Sequence, residues 1–144
     1  MRVVNLAQCP PPSVSPEASV FEAVRVMERS NVGAAAVMEA GRLVGVISER
    51  DVMLRVVGAR RDAEATQVRD VMTRNVKTVK PECETDEALA VMVSNHIRHV
   101  LLVNERGDAI GLASARNLFQ AQVEHLDDQV HTLEAYAGND NLGG

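Results

Sequence analysis

Apolar and polar positions alternate along this chain in an order that occurs twice. Val20, Ala23, Val24 and Met27 recur at helical intervals, and Ser19 precedes Glu22 at capping-box spacing, which predicts a helix with a defined start. Two short apolar runs follow, Ala34 to Met38 and Leu43 to Ile47, separated by Glu39, Ala40, Gly41 and Arg42. They predict strand, glycine-containing turn, strand. Ser48 is then placed to cap a second helix. Further on, Ala88, Leu89, Val91 and Met92 mark another helix, with Thr85 or Asp86 as its cap. The runs His99 to Val103 and Ala109 to Ala113 flank Asn104 to Asp108, and Ser114 opens a final helix. Val14 and Val79, each two residues before a proline (Pro16 and Pro81), are short extended pieces, because the residue before proline is held out of the helical region. Each stretch reads β-α-β-β-α, and the fold class is α+β.

The two stretches are copies. A shift of 65 residues places Val14, Pro16, Glu17, Glu22, Ala23, Val26 and Met27 on identical residues at Val79, Pro81, Glu82, Glu87, Ala88, Val91 and Met92. One extra residue near Arg106 makes the shift 66, and Gly41, Gly45, Ser48 and Arg50 then fall on Gly107, Gly111, Ser114 and Arg116, with Asp51 on Asn117. A unit of ~50 to 60 residues buries too little core to stand alone, so the copies are expected to pack as one pseudo-twofold body with its function at the seam. The expected boundaries are 8–58 for the first repeat, 59–71 for a linker with a short helix, and 72–122 for the second repeat.

Beyond Asn117 the helical period continues. Phe119, Val123, Leu126, Val130, Leu133 and Ala137 alternate spacings of four and three, the a/d pattern of a helical seam. A helical extension over 123–137 is expected, and its stripe calls for a partner, either a second copy or the chain's own body; homodimerisation is the reading adopted. Residues 138–144 are expected to form a disordered tail, with fraying from Ala135 onward.

Composition narrows the chemistry. The 144 residues fit about one globular unit, and no run reaches the ~18 to 20 apolar residues of a membrane span. The start of the chain lacks the apolar core of a signal peptide, so a soluble, cytoplasmic protein is expected. A net charge of −5 is the wrong sign for nucleic acid. Cys9 and Cys83 lack metal or redox spacing and read as free thiols, and His96 with His99 has no evident third ligand. Met27, Met53, Met72 and Met92 read as core filler. There is no phosphate-binding GxxxxGK[ST] loop, dinucleotide GxGxxG turn or nucleophile elbow. No enzyme and no metal site are expected.

The chemistry on offer lies in the paired segments Gly45 to Asp51 and Gly111 to Asn117. Each carries a glycine in a strand, a serine at a helix start and a carboxylate or amide three residues later. Asp51 and Asn117 are suited to ribose hydroxyls, with Ser48 and Ser114 assisting. In isolation such residues would serve only as helix caps; their duplication in register favours a ligand.

This duplicated unit, with G-h-x-[ST]-x-x-[DN] closing each copy, resembles a tandem pair of cystathionine-β-synthase (CBS) domains, a Bateman module, over roughly residues 8 to 122. Val71, Met72 and Thr73 leading into copy two, and the Ile97 to Val100 segment, add to the likeness. The resemblance implies a non-catalytic regulatory module that binds an adenine nucleotide between the repeats and transmits binding as a conformational shift. It further implies ribose at Ser48, Asp51, Ser114 and Asn117, and phosphate at Arg50, Arg98, His99 and Arg116. The adenine pocket would be at Thr78, Val79 and Pro81, with Val14 and Pro16 in copy one.

The copies differ where charge matters. Copy two has Arg98 and His99 where copy one has Gly33 and Ala34, and copy one adds Glu49, which repels phosphate. One good cleft and a second, weaker one are therefore expected. The expected ligand is AMP or a relative, ADP, ATP or NAD; S-adenosylmethionine would leave Arg98 and His99 without an anion. Rival readings are a ligand-free interaction module that docks an effector protein through its C-terminal helix, and a remnant of inosine-monophosphate dehydrogenase, for which no catalytic barrel is present in the sequence.

Overall fold

The computed structural model describes residues 1–142. The chain runs through a 3-10 turn (Val3–Leu6), β1 (Ser13–Val14), α1 (Val20–Ser30), β2 (Ala34–Glu39), β3 (Arg42–Ser48) and α2 (Glu49–Asp51). A π-helical segment (Val52–Val57) continues α2, and α3 (Val68–Val71) leads to β4 (Thr78–Val79), α4 (Thr85–Asn95), β5 (His99–Val103), β6 (Ala109–Ser114) and α5 (Ala115–Leu142). Two three-stranded sheets result, β1-β2-β3 and β4-β5-β6, each with its first pair parallel and its second antiparallel. The fold is α+β with duplicated β-α-β-β-α units.

Local chemistry explains the element ends. The Ser19 hydroxyl accepts from the Glu22 amide at 3.1 Å, as the capping-box spacing predicted. In copy two neither Thr85 nor Asp86 caps: Glu84 holds the N-cap position without a side-chain bond, and the Thr85 amide donates to the Met1 carbonyl at 3.0 Å. Both first helices end on a left-handed residue, Asn31 and His96, at equivalent positions. Ala40 and Gly41 both have positive φ, the requirement of a two-residue hairpin turn. In copy two the longer turn is tied by Asn104, whose Oδ1 accepts from the Arg106 and Asp108 amides.

The repeats complete each other's cores. Val68, Val71 and Met72 pack with Val20, Ala23, Ile47 and Val56 of the first repeat, whereas Val3, from the start of the chain, is fully buried with Ala88, Leu102 and Leu118 of the second. Single β-bridges fasten both segments: Ser19 to Gln67 and Val46 to Thr73, matched by Arg2 to Glu84 and Gln8 to Leu112. The residues before position 8, outside the expected repeat boundaries, thus belong to the second core, and the end of the expected linker belongs to the first. The motif glycines admit these crossing segments. A Cβ on Gly45 would stand 2.8 Å from Met72 Sδ and 2.9 Å from the Thr73 carbonyl; one on Gly111 would stand 2.7 Å from Cys9 Sγ.

A third cluster forms the seam, with Ala34 and Ala36 of β2 buried against Leu101 and Leu112 of the second sheet. Small residues on one side receive large ones from the other, as close packing requires. Met27, Met72 and Met92 are buried as expected, but Met53 is 58% exposed, because the π-helical segment turns it out of the core. After Leu118, which is fully buried, α5 leaves the body. Its backbone is helical to Leu142, past the Ala137 end expected for it; Gly143 and Gly144, at the end of the expected tail, lie outside the described residues.

Candidate functional site

The junction of the two repeats holds a cavity of about 690 Å³, within the range of small-molecule sites. Its apolar wall combines Val46 of β3 with Val76, Ile97, Leu101 and Leu112 from the second half, and its polar rim carries Ser48, Thr73 and Asn75. Arg50 approaches from α2, Lys77 from the entry to β4, and Arg98 and His99 from the start of β5. Ligand groups of both repeats therefore face one space: the serine comes from copy one and the Arg98–His99 pair from copy two.

Asp51, expected at the ribose, borders neither cavity; it stands behind Ser48 and Thr73, from whose hydroxyls it accepts hydrogen bonds. It is 7% exposed; its carboxylate accepts from the Ser48 amide (3.0 Å), the Ser48 hydroxyl (3.1 Å) and the Thr73 hydroxyl (3.1 Å), and lies 3.9 Å from Arg55. The Ser48 hydroxyl in turn accepts from the Asp51 amide at 3.2 Å, closing a capping box. Thr73 is the bridge partner of Val46, so the crossing segment that completes the first core also supplies a site hydroxyl.

A second, more open cavity of about 950 Å³ lies beside the first. Ser114, Arg116, Asn117 and Gln120 border it from copy two, opposite Asn31 and Val32 of copy one. The Ser114 hydroxyl accepts from the Asn117 amide at 3.2 Å, the counterpart of the Ser48 cap. Gly33, Glu49, Met53, Arg98 and His99 border both cavities. Arg98 and His99 thus form a shared partition. Burial lowers the His99 pKa from its ordinary value; the Glu49 carboxylate opposes this shift and the Arg98 guanidinium adds to it.

The expected adenine residues are displaced from these spaces. Thr78 and Val79 pair with Leu101 and Leu102 as strand, Pro81 is buried, and none of the three borders either cavity. Asn75, Val76 and Lys77, just before the strand, take that place, because a short strand committed to sheet pairing leaves its preceding residues to face the cleft. Val14 pairs with Val37, and the Pro16 carbonyl accepts from the Arg69 amide, so both serve the first repeat's own framework. Lys77 and Thr73 were missed by sequence reasoning; Thr73 was legible only as the residue following Val71 and Met72. Among the described residues there is no cluster of His, Cys, Asp and Glu able to hold a metal, and no helix long and apolar enough to cross a membrane.

Two sheets joined across a cleft, with each repeat closed by the other's leading segment, define a tandem-repeat module with cavities at the junction of its halves. The family model for the CBS domain matches residues 3–58 and again 68–124, and the chain belongs to that family. The mitochondrial CBS domain-containing protein CBSX3 of Arabidopsis thaliana is 34% identical over 123 residues, covering 82% of this chain and 59% of that protein. The chain therefore spans less than two thirds of this relative. Inosine-5'-monophosphate dehydrogenase of Korarchaeum cryptofilum is 36% identical over 107 residues, covering 74% of this chain but only 21% of that enzyme. Among solved structures, the CBS domain protein PAE2072 of Pyrobaculum aerophilum, complexed with AMP, superposes with a TM-score of 0.73 at 30% identity, covering 81% of this chain and 89% of that one.

Proposed function

We propose that this chain is a non-catalytic sensor that binds an adenine nucleotide in the 690 Å³ cavity between its repeats and signals occupancy through their relative orientation. The observation that carries this reading is the convergence of an apolar wall with Arg50, Lys77, Arg98 and His99 in one cleft built by both halves. A flat apolar base is accommodated by Val76, Ile97 and Leu112, and a phosphate meets the cations through charge-assisted hydrogen bonds. Ribose is read by Ser48 and by Asp51, whose carboxylate already holds hydroxyl donors that ribose hydroxyls replace. The AMP-bound state of the Pyrobaculum relative supports AMP as the first ligand to try, with ADP, ATP and NAD next. A ligand that bridges both repeats favours one arrangement of them, and a partner protein that distinguishes the arrangements completes the signal. The acting form is a cytoplasmic homodimer.

The test is a melting series on protein stripped of ligand by unfolding and refolding, with saturating AMP, ADP, ATP, NAD or S-adenosylmethionine. A ligand at a hundred times its dissociation constant adds ~2.7 kcal/mol, a rise of roughly 5 to 11 °C. A rise with a phosphate-bearing adenosine that is lost in Arg98→Ala supports the sensor. No rise with any of these ligands favours an interaction module acting through α5, for which the exposed stripe on that helix is the specific observation.

A further inference from the structure

The projecting part of α5 carries an apolar stripe that no described residue covers. Phe119, Val123, Leu126, Val130 and Leu133 are 51 to 69% exposed, whereas Leu118, one residue earlier, is fully buried. Packing of the stripe back onto its own module is therefore not what the fold does. From Val123 onward about 20 residues of helix extend roughly 30 Å from the body.

The stripe is specific in its chemistry. In heptad terms Val123 and Val130 take a positions and Leu126 and Leu133 take d positions, the β-branched-a, leucine-d combination that favours two parallel strands. The flanking positions agree. Gln122 and Gln129 fall at g, Asp127 and Glu134 at e. In a parallel pair each g residue faces an e residue of the other helix, so glutamine meets aspartate or glutamate and no like charges oppose. In an antiparallel pair e faces e, and Asp127 and Glu134 would confront acidic partners. The helix after Arg116 has no lysine or arginine as far as its described end, which removes the electrostatic basis for an anionic lipid surface.

We infer that α5 pairs in parallel with α5 of a second copy of this chain, forming a short two-stranded coiled coil that holds two modules side by side at one end. The inference rests on the homodimer reading, to which it adds the interface and its direction, and it stands without the nucleotide. A parallel pair is isologous, so the dimer closes and does not propagate into a fibre.

Sedimentation of the full chain gives twice the monomer mass. Leu126→Asp, at an exposed site remote from both cavities, raises the dimer dissociation constant about a hundredfold or more while leaving the body folded, as judged by an unchanged body melting transition. Leu133→Lys does the same independently. Direction is read in a Cys9→Ser, Cys83→Ser background carrying Ala137→Cys: the a position faces its own copy in a parallel pair, within disulfide reach, and mild oxidation yields a covalent dimer. A monomer at all concentrations overturns both the homodimer and the coiled coil. A dimer indifferent to both charge substitutions overturns the coiled coil but keeps the homodimer. A dimer that is lost on Leu126→Asp, yet gives no covalent cross-link with Ala137→Cys, overturns the parallel direction.

Discussion

Glu49 closes over Gly33: its amide donates to the Gly33 carbonyl at 2.8 Å, and its carboxylate fills the space that a side chain there would need, with Oε1 2.6 Å from an ideal Cβ. The related pair in the second repeat is Ala115 and Arg98, joined by the same amide-to-carbonyl bond at 2.8 Å. The glutamate–glycine pair of one half thus corresponds to an alanine–arginine pair in the other. Since Glu49 and Arg98 border both cavities, a phosphate attracted by Arg98 also meets the Glu49 charge. Glu49→Ala is expected to tighten AMP binding by about 3- to 10-fold, the loss of a like-charge interaction of roughly 1 kcal/mol at a partly exposed site. Titration calorimetry reads this directly, and unchanged affinity would place the phosphate elsewhere.

His99 sets a proton-linked signature on the same event. Burial favours its neutral imidazole, with Arg98 reinforcing and Glu49 opposing that preference. In the free protein a lowered folded pKa means that the unfolded chain binds the proton more readily. His99 therefore costs stability as pH falls from the ordinary imidazole value toward its folded one. A bound phosphate reverses the balance by favouring the imidazolium, so binding takes up protons. Calorimetry of AMP at pH 7.5 in two buffers of different ionisation enthalpy should show net uptake in the native chain and none in His99→Gln. Equal uptake in both would remove His99 from the phosphate site.

The shared partition couples the two cavities. Copy one has Gly33 and Ala34 where copy two has Arg98 and His99, so both spaces depend on one Arg98–His99 pair. Two anionic ligands would compete for it. A titration with AMP is expected to reach one tight equivalent per chain, followed by binding at least tenfold weaker, and Arg98→Ala should weaken both phases together. Two independent equivalents of equal affinity would contradict the shared role.

Periodicity carried most of the fold: β5 over His99–Val103 matches the apolar run that predicted it, and the Ser19 and Ser48 caps are present. What it did not carry was exchange between distant segments. Val3 and Val68 are identical residues at the same 65-residue shift, yet a short apolar stretch ahead of a repeat does not announce which core will bury it. For the same reason the cleft wall was placed at Thr78 to Pro81 instead of Asn75 to Lys77, because the last residue before a two-residue strand and the strand itself look alike in sequence. Ser48, Arg50, Arg98 and His99 were legible as candidate polar groups, and all four border the smaller cavity. That they face a single space follows only from the crossing of the repeats.

Asp51 is expected to separate stability from binding. Asp51→Ala removes the acceptor for the Ser48 amide and both neighbouring hydroxyls, costing about 1 to 3 kcal/mol and roughly 2 to 4 °C in Tm per kcal/mol. Asp51→Asn keeps a side-chain acceptor and should recover most of that stability, yet it still loses nucleotide affinity by about tenfold, because a neutral amide is a weaker acceptor for ribose hydroxyls. Full affinity in Asp51→Asn would confine Asp51 to its role as a cap.

Gly45 tests whether the crossing segment positions the site. An added Cβ would meet Met72 Sδ at 2.8 Å, which a flexible side chain can relieve, and the Thr73 carbonyl at 2.9 Å, which it cannot. Gly45→Ala is therefore expected to cost about 1 to 3 kcal/mol by overpacking, and Met72→Ala should not rescue it. Gly41→Ala is the contrast: no atom lies within 4 Å, so its penalty comes only from a φ of +78 and leaves the site untouched. Because the displaced backbone carries Thr73, whose hydroxyl binds Asp51, Gly45→Ala should weaken nucleotide binding beyond what its melting shift accounts for. Gly41→Ala should lower Tm with affinity intact. If the two variants lose affinity equally, the strand-to-segment contact is a packing feature without influence on the cleft.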